Sequence, residues 1–279
     1  MKEKLISKDM IRSLHPIFRG RFGNALIKFL FSFTGINKVN MVYDDSKHLT
    51  GTEFEKDLLD KRGIIRKTEN LEVLDQFKEG AFITVSNHPY GHIDGIIELS
   101  IVSSKRPDYK MMVNWMLSQI DTMEEHFIGV NPYSKDNKMS EAKSSLGGVK
   151  MSLEHLKNGH PLGLFPAGGG VSSPHLTKTE DREWQPTVLK LIKKAKVPII
   201  PMFISGNNSW FYRFLGFIDW RIRTVRLLHE VTNKKGKTIT VRFGQPISVE
   251  EQSKYTDIKE FGGAFLKAQT YAMKKKPNK

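Results

Sequence analysis

Three short runs of almost unbroken apolar residues constrain the fold of this chain most: AFITV at 81–85, PLGLF at 161–165 and VPIIPMFI at 197–204. A strand with one wet face alternates apolar and polar residues, so a run that is apolar throughout belongs to a strand covered on both faces. Segments of helical spacing separate these runs. NLEVLDQFKEG (70–80) predicts a helix that ends at Gly80, a left-handed cap position. A second helix is expected from Asp94 to about Ser103, followed by short strands in KMMVN (110–114) and HFIGVN (126–131). SEAKSSLGGVKMSLEHLKNG (140–159) keeps helical spacing through Ala142, Leu146, Val149, Leu153 and Leu156 and stops at Gly159. A helix near 185–196, a strand in KTITVRFGQPI (237–247) and a C-terminal helix complete the series. The fold class expected is therefore α/β, with a central, largely parallel or mixed sheet flanked by helices.

Ahead of this series, residues 10–34 place Ile11, Leu14, Phe18, Phe22, Leu26, Phe29, Leu30 and Phe33 at three- and four-residue spacing. Arg12, Arg19, Arg21 and Lys28 are interleaved, and breaks are expected near Pro16 and Gly20. Such basic amphipathic helices either pack on the body or lie in a membrane interface. The expected organisation is an N-terminal amphipathic extension over 1–63 and an α/β domain over 64–279. LIKFLFSFTGI (26–36) is too short to span a bilayer, and the N-terminus lacks the pattern of a signal peptide. A cytoplasmic protein, peripheral on the inner face of the cell membrane, is the expectation. The net charge of +14 favours polyanions, meaning an anionic membrane, a phosphate-bearing substrate or nucleic acid. The basic residues are scattered and no nucleic-acid motif occurs, which makes a basic nucleic-acid module the lesser alternative.

In open α/β sheets, ligands bind where strands end at their carboxyl edge. Two loops follow strands there: SNHPYGHIDG (86–95) and FPAGGGVSS (165–173). His88 and Asp94 are separated by five residues around Gly91, a spacing that lets an imidazole meet a carboxylate across the loop. A neutral imidazole so held removes a proton from an attacking hydroxyl. Asp94 alone would serve equally as the N-cap of the next helix. His92 is a second candidate base. His88 and His92 stand four apart, but Pro89 and Gly91 oppose the helix that a zinc pair needs, so no metal is expected. Gly168, Gly169 and Gly170 leave backbone N–H groups open to an oxyanion or phosphate. The chain has no cysteine, no P-loop, no dinucleotide fingerprint and no Gly-x-Ser-x-Gly elbow, which argues against cysteine and serine hydrolases, NTPases and Rossmann oxidoreductases.

These blocks resemble the glycerolipid (lysophosphatidate-type) acyltransferase family, which shares a His-x-x-x-x-Asp block, a Phe-Pro-Glu-Gly block and a Val-Pro-Ile-x-Pro block. NHPYGHIDG, FPAGGG and VPIIPMFISG match them in order, over roughly 64–247. The resemblance implies that His88 is the general base and Asp94 its orienting partner. It further implies an acyl thioester donor, either acyl-CoA or acyl carrier protein, a lyso-lipid acceptor and no resident cofactor. Asn87, Gly91, Asn131, Phe165, Pro166, Gly168, Gly169 and Gly170 are then the expected substrate-binding residues. The spacing from His88 to Asp94 exceeds the family's usual one by a residue, which Gly91 must absorb. Ala167 replaces the glutamate of the second block, and Asn131 stands near where an acceptor-binding arginine is expected, a role for which Arg182 would have to substitute. These variants are similar to a branch that acylates lyso-aminolipids such as lyso-ornithine or lyso-glycine lipids. A lipid-binding protein with a degenerate site is the remaining alternative.

Overall fold

The computed structural model describes residues 4–115, 117–130, 139–168 and 180–275. Seven strands form one sheet: β1 (Ile65–Glu69), β2 (Ile83–Ser86), β3 (Lys110–Asn114), β4 (Phe127–Val130), β5 (Leu162–Leu164), β6 (Ile199–Ile204) and β7 (Thr238–Phe243). Their order is β1-β7-β6-β2-β5-β3-β4. Neighbours run parallel except β6 and β7, which are antiparallel. The three apolar runs become the adjacent strands β6, β2 and β5, buried at every position, with Ile83 opposite both Leu162 and Ile199. β1 was not foreseen. Its residues, IRKTE, lie at the sheet edge and are largely exposed, so they carry no apolar signature.

Side chains alternate across β2, and each face has its own core. Phe82 packs with α5 (Ile93–Val102), while Ile83 and Val85 pack with α7 (Pro186–Ala195) and a π-helix at Glu260–Lys267. That π-helix continues into an α-helix at Ala268–Ala272, so the expected C-terminal helix is present but wound in two ways. The helix expected at 70–80 is instead a 3-10 turn over Leu71–Phe77 that buries Val73 and Leu74. α6 (Met139–Lys157) matches the expected long helix.

The N-terminal segment breaks as read: α1 (Lys8–Leu14), a turn at Pro16–Phe18, then α2 (Gly20–Thr34). Two further helices, α3 (Ile36–Ser46) and α4 (Gly51–Lys61), place Val42, Tyr43, Phe54, Leu58 and Leu59 in the same core as α5. α2 packs on α9 (Trp220–Thr232), which forms a hairpin with α8 (Trp210–Ile218).

One topological fact positions the site. β2 leads through α5 to β3 on one side of it in the sheet, whereas β5 leads through α7 to β6 on the other side. The connections therefore leave the carboxyl ends of two adjacent parallel strands in opposite directions, and the loops 87–92 and 165–168 lie together at that switch point, where open α/β sheets bind their ligands.

Candidate active site

His88 leaves the end of β2, and Asp94 stands in the first turn of α5. Gly91 bends the chain back between them at φ +79, the left-handed conformation that accommodates the longer spacing. Asp94 is fully buried, and its Oδ2 accepts the backbone N–H of Tyr90 (3.0 Å) and of Gly91 (2.9 Å). The same oxygen lies 2.7 Å from His88 Nδ1. The ring N–H does not aim along that line, so this is a close electrostatic contact and not an aligned hydrogen bond. A carboxylate beside Nδ1 favours the tautomer that carries its proton there, leaving Nε2 to accept one.

The two glycine-rich loops meet at this imidazole. Phe165 stacks on His88 with ring centroids 3.9 Å apart and planes 17° from parallel. The backbone N–H of His88 donates to Asp181 Oδ1 (3.1 Å), and Trp184 Nε1 donates to the other oxygen of that carboxylate (3.2 Å). Burial pushes the Asp181 carboxyl up, opposed by these two donors. Asp181 is in turn fixed by the C-terminal elements: its N–H donates to the Tyr271 hydroxyl and Lys267 Nζ donates to its carbonyl. Asp181 is a site residue that local pattern does not reveal, since its partner is 93 positions away. A cavity of about 230 Å³, lined by Trp184, Leu189, Ile258, Gly263 and Lys267, lies next to Asp181.

Of the other expected binding residues, Asn87 is buried and both ends of its amide engage Ile204 on β6, at 2.9 and 2.7 Å. It ties β2 to β6 and keeps one amide N–H outside this pairing. Pro166 is buried; its carbonyl accepts the N–H of Gln185, and Gly168, at φ +69, closes the turn by donating to Phe165 O. Arg182 is exposed and adjoins Asp181, while its carbonyl takes a weak bond from Lys267. Asn131, Gly169 and Gly170 lie outside the described residues.

His92 is not a second base. Its Nδ1 accepts the N–H of Ile93 at the start of α5 (2.6 Å). The residue is partly exposed but Nε2 is buried, and burial, with Lys234 and His88 nearby, holds the ring's pKa down at about 3. It therefore stays neutral. Lys234 pairs with Glu230 (2.7 Å), and Glu230 also accepts from Ser209. Burial raises the Glu230 carboxyl, but these donors outweigh it and hold the group at about 2. The α8–α9 hairpin is thereby pinned beside the loop 87–92, where Asn208 donates to Tyr90 O (2.8 Å). Among the described residues no three His, Asp or Glu side chains converge as a metal site.

Comparison with known proteins bears on the family of the chain. The family described as "Acyltransferase" matches residues 16–278. A curated relative, the lyso-glycine lipid O-acyltransferase of Bacteroides thetaiotaomicron, is 28% identical over 234 residues, covering 80% of each chain. The protein of the same description from Phocaeicola vulgatus is 25% identical over 234 residues, covering 80% of this chain and 78% of its own. Among solved structures, the crystal structure of the 1-acyl-sn-glycerophosphate (LPA) acyltransferase PlsC from Thermotoga maritima aligns with 98% of this chain and all of its own. The identity is 14% and the TM-score 0.48.

Proposed function

The chain belongs to the acyltransferase family, and on that premise we propose that it moves a fatty acyl group from an acyl thioester to a hydroxyl of a lyso-lipid. The single observation that carries the mechanism is the buried Asp94 carboxylate 2.7 Å from His88 Nδ1 at the mouth of the sheet. His88 Nε2 takes the proton of the acceptor hydroxyl as its oxygen attacks the thioester carbonyl. Asp94 steadies the imidazolium that results. The tetrahedral oxyanion collapses, the C–S bond breaks, and the leaving thiolate recovers the proton from His88. No covalent acyl-enzyme is needed, which suits a chain without cysteine. The names of the two relatives favour a lyso-glycine lipid as acceptor. Acyl-CoA and acyl carrier protein are both fitting donors.

The acceptor is a lipid, and the surface supports a peripheral approach to an anionic leaflet. Among the described residues no helix is long and apolar enough to cross a bilayer. Phe22 and Phe29 of α2 are exposed, as are Trp210, Phe217 and Ile218 of α8. Arg226 joins these distant segments, its guanidinium standing 5.3 Å from the Phe33 ring and 5.7 Å from that of Phe211. Arg19, Arg21 and Lys28 are exposed along α2. Apolar rings flanked by cations match an interface of acyl chains and anionic headgroups.

The test is thiol release from acyl-CoA and from acyl carrier protein with lyso-glycine lipid as acceptor. Turnover should fall about 10²–10⁴-fold in His88→Ala and in Asp94→Asn. Lipid binding without turnover in the unaltered protein would instead identify a degenerate lipid-binding module, and salt-sensitive DNA binding without lipid affinity a nucleic-acid module.

A further inference from the structure

A second carboxyl group lies one helical turn below Asp94. Glu98 is wholly buried on α5, and its two oxygens take three hydroxyl contacts: Thr84 and Tyr109 on Oε1, both at 2.6 Å, and Ser86 on Oε2 at 2.9 Å. Thr84, Ser86 and His88 are spaced by two along β2 and its exit, and Asp94 and Glu98 by four along α5. Strand and helix are thus joined by two successive rungs, the upper one His88–Asp94 and the lower one Thr84/Ser86–Glu98. The fold makes room for the lower rung: a Cβ at Gly163 of β5 would lie 2.0 Å from the Tyr109 hydroxyl.

The lower rung also fixes a proton. Thr84 Oγ1 lies 2.6 Å from Tyr109 Oη, so Thr84, Tyr109 and Glu98 Oε1 form a closed ring of three short O···O contacts. Each contact at this distance needs a hydrogen between the oxygens. The two hydroxyls supply two protons, and Ser86 spends its own on Oε2. The remaining contact is met when Glu98 carries the third proton. Burial pushing the Glu98 carboxyl up agrees with this count.

We propose that Glu98 is a positioning residue, a neutral acid whose hydroxyl-bonded ring locks β2 to α5 and so sets His88 against Asp94. The role deepens the acyl-transfer reading and rests on His88 being the base. Around this ring the titratable groups are Tyr109 within it and the His88–Asp94 pair above it.

The test compares Glu98→Gln, which keeps a neutral group of the same shape, with Glu98→Leu, which strips the three hydroxyls of their partner. Carboxyl-13C NMR of the full chain, the Glu98 signal identified by its loss in Glu98→Gln, should show the protonated acid at neutral pH. The 15N-observed titration of His88 should be unchanged in Glu98→Gln and displaced in Glu98→Leu. Turnover of lyso-glycine lipid should keep its kcat and its pH profile in Glu98→Gln. In Glu98→Leu, kcat should drop about 10²-fold at unchanged KM, as for a misplaced base. A carboxylate signal at neutral pH, a shifted His88 titration in Glu98→Gln, or an unaltered one in Glu98→Leu overturns the proposal. If His88→Ala keeps full turnover, the acyl-transfer reading fails first, and the two NMR measurements still decide the state of Glu98 and its hold on His88.

Discussion

Replacing Glu55 by glutamine removes a group that makes the fold less stable as pH rises from 4.5 to about 8. Glu55 lies midway along α4, fully buried, and neither of its carboxylate oxygens has a hydrogen-bond partner among the described residues. A charge stranded there would be costly. Burial, helped by nearby Glu125, accordingly pushes its pKa from 4.5 up to about 8. Between those two values the unfolded chain has released a proton that the native chain still holds. The native state binds more protons, so stability falls as pH rises through this window and levels off above it. The slope is about 1.4 kcal/mol for each pH interval of one, and the window from 4.5 to about 8 sums to roughly 5 kcal/mol. That is comparable to the whole stability of a modest domain, about 5–15 kcal/mol. Glutamine has no proton to lose. Urea unfolding of both proteins from about pH 5 to about pH 9 should show the stability of the variant relative to the parent climbing at that slope, then flattening near pH 8. A difference that stays constant across the range refutes the argument. Because α4 packs on α5, which carries Asp94, parental turnover should fail at alkaline pH before that of the variant.

Other perturbations address the site and the surface. Asp181→Ala leaves the His88 N–H and the Trp184 indole without an acceptor. A loss of about 1–3 kcal/mol is expected on thermal or urea unfolding, together with a lower kcat; unchanged kcat would mean that the Asp181 contact does not hold His88 in place. Gly163→Ala drives a methyl group into the Tyr109 hydroxyl and should cost about 1–3 kcal/mol, part of which Tyr109→Phe in the same chain restores. Changing Phe22, Phe29, Trp210 and Phe217 together to serine should abolish cosedimentation with phosphatidylglycerol vesicles while leaving the unfolding midpoint in place; retained binding would assign the interface elsewhere.

Much of the site was legible because its chemistry is local. His88, Gly91 and Asp94 lie within seven positions, and a loop that returns on itself through a left-handed glycine needs no distant partner to bring imidazole and carboxylate together. The buried central strands were equally plain, since burial on both faces leaves an uninterrupted apolar run. β1, by contrast, is polar and at the edge, so its strand character comes from pairing with β7, 173 residues on at Glu69 and Arg242. Asn87 read as a binding residue because it adjoins His88; that its amide also ties β2 to Ile204 of β6 is a contact made 117 positions away. Phe165 is the reverse case. Its block was recognised, yet its stacking on His88 arises only when two strands distant in sequence become neighbours in the sheet.

From its order of residues alone, this chain determines which segments are buried strands, where they end, and that a histidine and an aspartate can meet at one of those ends. Those properties follow from apolar periodicity and from the dihedral freedom of a single glycine, each confined to a few consecutive residues. Folding in three dimensions decided the rest: Asp181 beneath the His88 backbone, the proton-filled ring around Glu98, and Arg226 set between Phe33 of α2 and Phe211 of α8. Each of these joins groups remote along the chain, so its energy depends on closing a long loop, and no local pattern records that.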